Sequence, residues 1–85
     1  MRLDKFLQIS RLIKRRTNAK EACLAGRVQI NGKTAKPGSE IKEGDRIDLA
    51  WGRRLTRVEV LLVPERNIPA AQAKTLYKVI EESTL

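Results

Sequence analysis

Histidine is absent from this 85-residue chain, cysteine occurs once, and Phe, Trp and Tyr occur once each. With no histidine, and with its acids spread over turns and strand faces, the sequence assembles no acid–base pair or nucleophile constellation, so an enzyme is not expected. A single cysteine excludes an internal disulfide and a multi-cysteine metal site, and no metal or cofactor is expected either. No apolar run approaches about 18 residues, and Met1-Arg2 leads into a charged amphipathic stretch rather than a signal-peptide core. The expectation is therefore a cytoplasmic protein with no membrane association. A chain of this length forms one domain that buries only about 60–65% of its unfolded surface, which leaves little room for a deep catalytic pocket.

Acid is scarce where base is dense. Residues 1–36 hold ten Lys/Arg against only Asp4 and Glu21, whereas residues 37–85 hold eight of each sign, so the whole net charge of +8 lies in the first two-fifths of the chain. A merely solvated face has no reason to segregate charge in this way; an anionic partner does, and nucleic acid is the commonest one. The densest run is Arg11-Leu-Ile-Lys-Arg-Arg-Thr-Asn-Ala-Lys20. In it Arg11, Lys14, Arg15, Arg16, Asn18 and Lys20 can all reach a phosphate or a base edge. Thr17 reads as the N-cap of a helix that carries Ala19, Ala22, Cys23 and Gly26 at i, i+3, i+4 and i+7, with Gly26 as its stop. A basic loop thus feeds the positive end of a short helix, where free N–H groups and the macrodipole also favour a polyanion.

Ahead of that run, Leu3, Phe6, Leu7 and Ser10 share one helical face, with Arg2, Lys5 and Gln8 on the exposed side and Asp4 complementing the dipole of the first turn. Leu12 and Ile13 anchor the basic loop, and Cys23 reads as a small buried hydrophobe. After Gly26 the period changes to two. Residues 27–36 read as a hairpin about an Asn31-Gly32 turn that opposes Ile30 to Lys33 and Gln29 to Thr34. Val28, Ile30 and Ala35 share its buried face; Arg27, Gln29, Thr34 and Lys36 share a polar one, expected to extend the basic surface of the helices. A strand with Ile47 and Leu49 inward follows, then a second over residues 55–63 with Val58, Val60 and Leu62 facing one way. Residues 64–69 are a linker. Residues 70–82 predict an amphipathic helix with Ala73, Leu76, Tyr77 and Ile80 on one face. Trp51 shares strand parity with Ile47 and Leu49 and is expected to pack, although its neighbours Arg53 and Arg54 would also suit a base or a partner. The expected fold is α+β: two N-terminal helices on a small antiparallel sheet, with a C-terminal amphipathic helix.

Several of these residues carry a resemblance. Arg2-Leu3-Asp4-Lys5-Phe6-Leu7, Arg16, Ala19, Gly26-Arg-Val28, Asn31-Gly32, Pro37 and Gly44-Asp45 resemble the RNA-binding module first described in ribosomal protein S-four, the alpha-L RNA-binding motif, over residues 2–49. The resemblance implies two helices and a hairpin that grip structured RNA, within a domain of residues 1–63 followed by a linker and helix over 64–85 packed on it. The short length, the Ser10-Arg-Leu-Ile-Lys-Arg-Arg16 string and the Ala-rich C-terminal segment further resemble the stand-alone bacterial ribosome quality-control group of that superfamily. Residues 64–73 and Leu76-Tyr77 are similar to the related ribosome-associated heat-shock group, whose long basic extension is lacking. Membership implies binding to ribosomal RNA of large subunits that still carry peptidyl-tRNA, in support of C-terminal tailing by a factor that recruits alanyl-tRNA. The RNA-contacting residues would be Arg2, Lys5, Arg11, Lys14, Arg15, Arg16, Asn18, Lys20, Arg27, Lys33 and Lys36, on a monomer.

Three rival readings remain open. A single-strand binder normally needs an aromatic platform, which this chain scarcely has, whereas structured RNA is read by shape, backbone and 2′-hydroxyls. A helix-turn-helix DNA reader would need more long side chains on its second helix. A protein-interaction role could use Trp51 or the last helix in addition to RNA.

Overall fold

The computed structural model describes residues 1–66 and 68–84. Two helices, α1 (Leu3–Ile9) and α2 (Arg16–Leu24), precede the hairpin β1 (Val28–Ile30) and β2 (Lys33–Thr34). Strands β3 (Arg46–Trp51) and β4 (Arg54–Val60) follow, then a 3₁₀ helix (Ala70–Leu76) and β5 (Tyr77–Thr84). The five strands form one antiparallel sheet in the order β2-β1-β3-β4-β5, so the class is α+β, as expected.

The buried stripe of α1 is Leu3, Phe6, Leu7 and Ile9, and α2 answers with the small residues Ala19, Ala22 and Cys23. Small side chains let the second helix lie close to the first. Both rest on Val28, Ile47, Leu49, Val58 and Val60 from one side of the sheet, and these residues form one core. Helix α1 begins where residues 37–41 meet it. Leu3 N–H donates to the Ser39 carbonyl at 2.8 Å and Asp4 N–H to the Pro37 carbonyl at 3.1 Å, which satisfies two donors that a free helix end leaves unpaired. Helix α2 ends in a full Schellman pattern about Gly26 (φ 74°): Gly26 N–H reaches the Cys23 carbonyl and Arg27 N–H the Ala22 carbonyl. In the hairpin Gln29 opposes Thr34 and Ile30 opposes Lys33, and both turn residues have positive φ, Asn31 at 51° and Gly32 at 85°. Asn31 also ties the turn to β3, giving its Nδ2 to Asp45 and accepting the Arg46 N–H on Oδ1.

Four expectations are corrected. Thr17 is not the N-cap of α2. The helix starts two residues earlier, with Arg15 extended at the cap position and no side-chain cap, because Ala19 N–H already reaches the Arg15 carbonyl. Leu62 does not continue the apolar face of β4; the strand ends at Val60, Leu62 is exposed, and the N–H groups of Leu61 and Leu62 both turn to the Leu76 carbonyl. The helix expected over 70–82 stops at Leu76. Its buried residues are Ala73 and Leu76, but Tyr77–Thr84 leaves the helix to pair with β4. The free edge of β4 offers a row of unpaired backbone groups, and the β-branched Val79, Ile80 and Thr84 favour strand. Nearly every β5 side chain is exposed, so ladder hydrogen bonds and the Arg54–Glu82 and Arg57–Glu81 ion pairs hold the strand in place of burial. Trp51, finally, is exposed although its parity is that of Leu49.

Candidate nucleic-acid interface

The cationic side chains of the first helix pair are organised by one acid. Asp4 sits in the first turn of α1 with its side chain only 3% exposed. Its carboxylate accepts the Lys5 N–H at 2.8 Å and bonds from Arg2 Nε and Nη2 at 3.2 and 3.3 Å. It also forms an ion pair with Arg16 Nη2 at 3.6 Å. Arg2 is the residue before α1 and Arg16 the first residue of α2, so a single buried carboxylate gathers guanidinium groups from two helices. Each remains about half exposed, at 54% and 49%. A guanidinium has five donors in a planar fork, and those not spent on Asp4 face solvent, as phosphate recognition requires. Lys5 joins Arg2 and Arg16 along an open groove of about 580 Å³ whose far wall is Val63, Pro64 and Glu65. The neighbouring loop adds exposed Lys14 and Arg15, and the outer side of α2 adds exposed Lys20. Ile13, fully inside, and Ser10, whose buried Oγ donates to the Leu7 carbonyl, pin that loop to the core.

Residues 1–47, which contain all of these cationic side chains, match the S4 domain. The chain belongs to the S4 domain family. It is 49% identical over 85 residues to the RQC P-site tRNA stabilizing factor of Halalkalibacterium halodurans, covering all of this chain and 96% of that one. It is 44% identical to the protein of the same name from Bacillus subtilis, covering 100% of this chain and 98% of that one. A heat shock protein 15 homolog from Aeromonas salmonicida is 36% identical over 98% of this chain, which spans 63% of that protein. Among solved structures, the trimeric heat shock protein 15 of Vibrio cholerae superposes with a TM-score of 0.85 at 30% identity, covering 93% of this chain and 80% of that one. A solution structure of a hypothetical protein, HP1423, gives 0.80 at 34% identity over 95% and 98% of the two chains.

Not every cationic candidate of this S4 domain lies near Asp4. The hairpin's polar side does not extend the helical surface through Arg27. Because Val28 and Ala35 point into the core, the alternate residues face away from the helices, and Arg27 lies on the outer face of the sheet beside Gln29, Asp48, Arg57 and Glu81. Acid and base are balanced there: Arg57 is bonded to Asp48 at 2.8 Å, which holds its guanidinium even more firmly protonated. Lys33 takes the helix-facing parity of Ile30, and Lys36 is exposed past the end of β2. Asn18 is half-buried on α2. Arg11 stands at the far end of the basic loop in a separate cleft with Trp51. The organising role of Asp4 was not read from sequence. Its signal was available, since it is the only acid among the first 20 residues and it borders the apolar stripe of α1.

The lone thiol has no part in the surface. Burial, and then the negative charge of Asp4, push Cys23 from 9.0 up to about 11, so it stays protonated and unreactive at neutral pH. Because the folded value is raised, the associated stability is complete below about pH 9 and is lost as pH rises through about 11. Urea melts of wild type and Cys23→Ala across that window should diverge at low pH and converge at high pH. Parallel curves would contradict the assignment.

Proposed function

We propose that this chain binds structured ribosomal RNA of the large subunit together with P-site tRNA, without a catalytic step of its own. It would act on subunits that still hold peptidyl-tRNA, where it supports C-terminal tailing by a factor that recruits alanyl-tRNA. The observation that carries this reading is the pairing of Arg2 and Arg16 on buried Asp4, half-exposed at the most basic surface of an S4 domain. Two relatives that align end to end bear the name RQC P-site tRNA stabilizing factor, which favours the tRNA half of the reading. The contacts would be made by Arg2, Lys5, Lys14, Arg15, Arg16 and Lys20, with Asn18, Lys33 and Lys36 at the margin and a single copy acting in the cytoplasm. No helix among the described residues is long and apolar enough to cross a membrane.

A second reading, heat-shock handling of large subunits, draws on the 0.85 superposition with heat shock protein 15. It uses the same RNA surface and differs in what the partner subunit carries.

The RNA reading predicts a steep salt dependence. Neutralising about four to eight phosphates gives a log–log slope of roughly −3 to −6 for a structured RNA stem-loop. Titrations at several salt concentrations, run in parallel with a DNA duplex of the same sequence, test it. A slope near zero would contradict the electrostatic account, and equal affinity for the DNA would move the reading to a general duplex binder.

A further inference from the structure

The helix-facing side of the sheet is wider than the helices that cover it. Seven and nine residues make roughly 10 and 14 Å of helix, against five strands spaced about 4.8 Å apart. Beyond the helices, over the end of β3 and across β4 and β5, lies a cleft of about 510 Å³ lined by Arg11, Trp51, Arg54, Lys74, Tyr77 and Glu82. Trp51 continues the inward parity of Ile47 and Leu49 but is 36% exposed, because no helix lies above it. Tyr77, at the start of β5, is half-buried against the core. The two aromatics stand at opposite ends of one open cleft, Trp51 opposite Arg54 at the start of β4 and Tyr77 opposite Val60 at its end.

The charges around it are unequal. Among the described residues Glu82 is the only acid in the lining, and it is paired with Arg54. Arg11 and Lys74 make no ion pair among the described residues. Arg11 moreover holds φ at 62°, directly after the last turn of α1, a conformation glycine adopts without the steric cost an arginine meets. The backbone of Arg11 is thus held in the left-handed region at the edge of the cleft.

We propose that this cleft receives one unpaired RNA base stacked on Trp51, with its backbone running past Arg11 toward Lys74 at the other end. The proposal rests on the reading that the chain binds structured RNA, and it adds which feature of that RNA is selected. A peptide without acidic side chains would gain from the aromatic surface but leave both cations uncompensated, whereas every nucleotide supplies a π-face and an anion together. The volume falls within the range of sites that enclose a small ligand. The loop of residues 11–16 runs from this cleft to the Asp4 cluster, with Arg11 at one end and Arg16 at the other. A paired stem on Arg2, Lys5 and Arg16 would therefore present a bulged or looped-out nucleotide to Trp51.

Trp51 is the only tryptophan in the chain, so its emission reports on this cleft alone. The test compares a fully paired RNA stem with a series carrying one bulged nucleotide at successive positions. All are expected to bind. At least one bulged stem should quench Trp51 strongly and bind about five-fold or more tighter than its paired parent, the lower end of what stacking one base contributes. Trp51→Ala should abolish that advantage, and Trp51→Phe should keep most of it. Equal affinity across the series with unchanged emission would overturn the proposal while leaving the RNA reading intact, and would turn the cleft over to a protein partner. Failure of every stem to bind would overturn both.

Discussion

Replacing Arg2 and Arg16 together by Gln is expected to lower affinity for structured RNA by about 100-fold and to flatten the salt slope by about two. Each guanidinium offers charge-assisted bonds to phosphate of about 1.5–3 kcal/mol, and each phosphate contact contributes about one to the slope. The same variant should also be less stable, by about 2–3 kcal/mol, because the buried Asp4 carboxylate keeps only the Lys5 N–H as partner. The two losses separate cleanly. Adding Asp4→Asn removes the stranded charge, keeps an oxygen for the Lys5 N–H, and should restore most of the stability with none of the binding. Arg15→Ala provides the control: exposed and without an ion-pair partner among the described residues, it should weaken binding and leave stability within about ±0.5 kcal/mol. Filter binding and urea melts on the same preparations read both effects. Unchanged RNA affinity in the double variant would remove the Asp4 cluster from the interface.

Cys23→Asp is expected to leave the chain unfolded at neutral pH. The position is 4% exposed between the two helices, and the Asp4 charge already contributes to raising the thiol. A second carboxylate there would be buried within range of the Asp4 charge. Several kcal/mol for an unpaired buried charge is comparable to the whole stability of a small domain, about 5 kcal/mol at the low end of the usual range. Cys23→Ala, by contrast, removes one sulfur and should cost no more than about 1–2 kcal/mol. Amide dispersion in a proton–nitrogen correlation spectrum distinguishes the outcomes, and a well-dispersed spectrum for Cys23→Asp at pH 7 would show that the helix pair is less tightly closed than described.

What the sequence made legible is what local chemistry decides. The hairpin register follows from Asn31-Gly32, whose two positive φ angles leave one pairing of the flanking strands. Leu3, Phe6 and Leu7 of α1 and Ala19, Ala22 and Cys23 of α2 follow from the 3.6 period, and the end of α2 from Gly26, whereas buried Ile9 lies off that period. Non-local partners were not legible. Residues 73, 76, 77 and 80 match a helical face, yet the open edge of β4 claims Tyr77–Thr84. Asp4 matches a dipole-complementing acid, and only the meeting of α1 with α2 shows that it also holds Arg16. For that reason Arg16, which by exposure alone would be neutral to stability, is expected to contribute to it. Trp51 has the parity of a core residue, and its exposure depends on helix lengths elsewhere in the chain.

Sucrose-gradient sedimentation gives the most direct test of the central claim. Tagged protein would be mixed with free large subunits carrying peptidyl-tRNA, intact ribosomes and free tRNA, each in turn. The wild-type chain is expected to travel with the peptidyl-tRNA-bearing large subunits in preference to the other two, and the folded Asp4→Asn/Arg2→Gln/Arg16→Gln variant is expected to remain at the top of the gradient. Equal recovery of wild type from intact ribosomes and large subunits, or undiminished recovery of the triple variant, would contradict it.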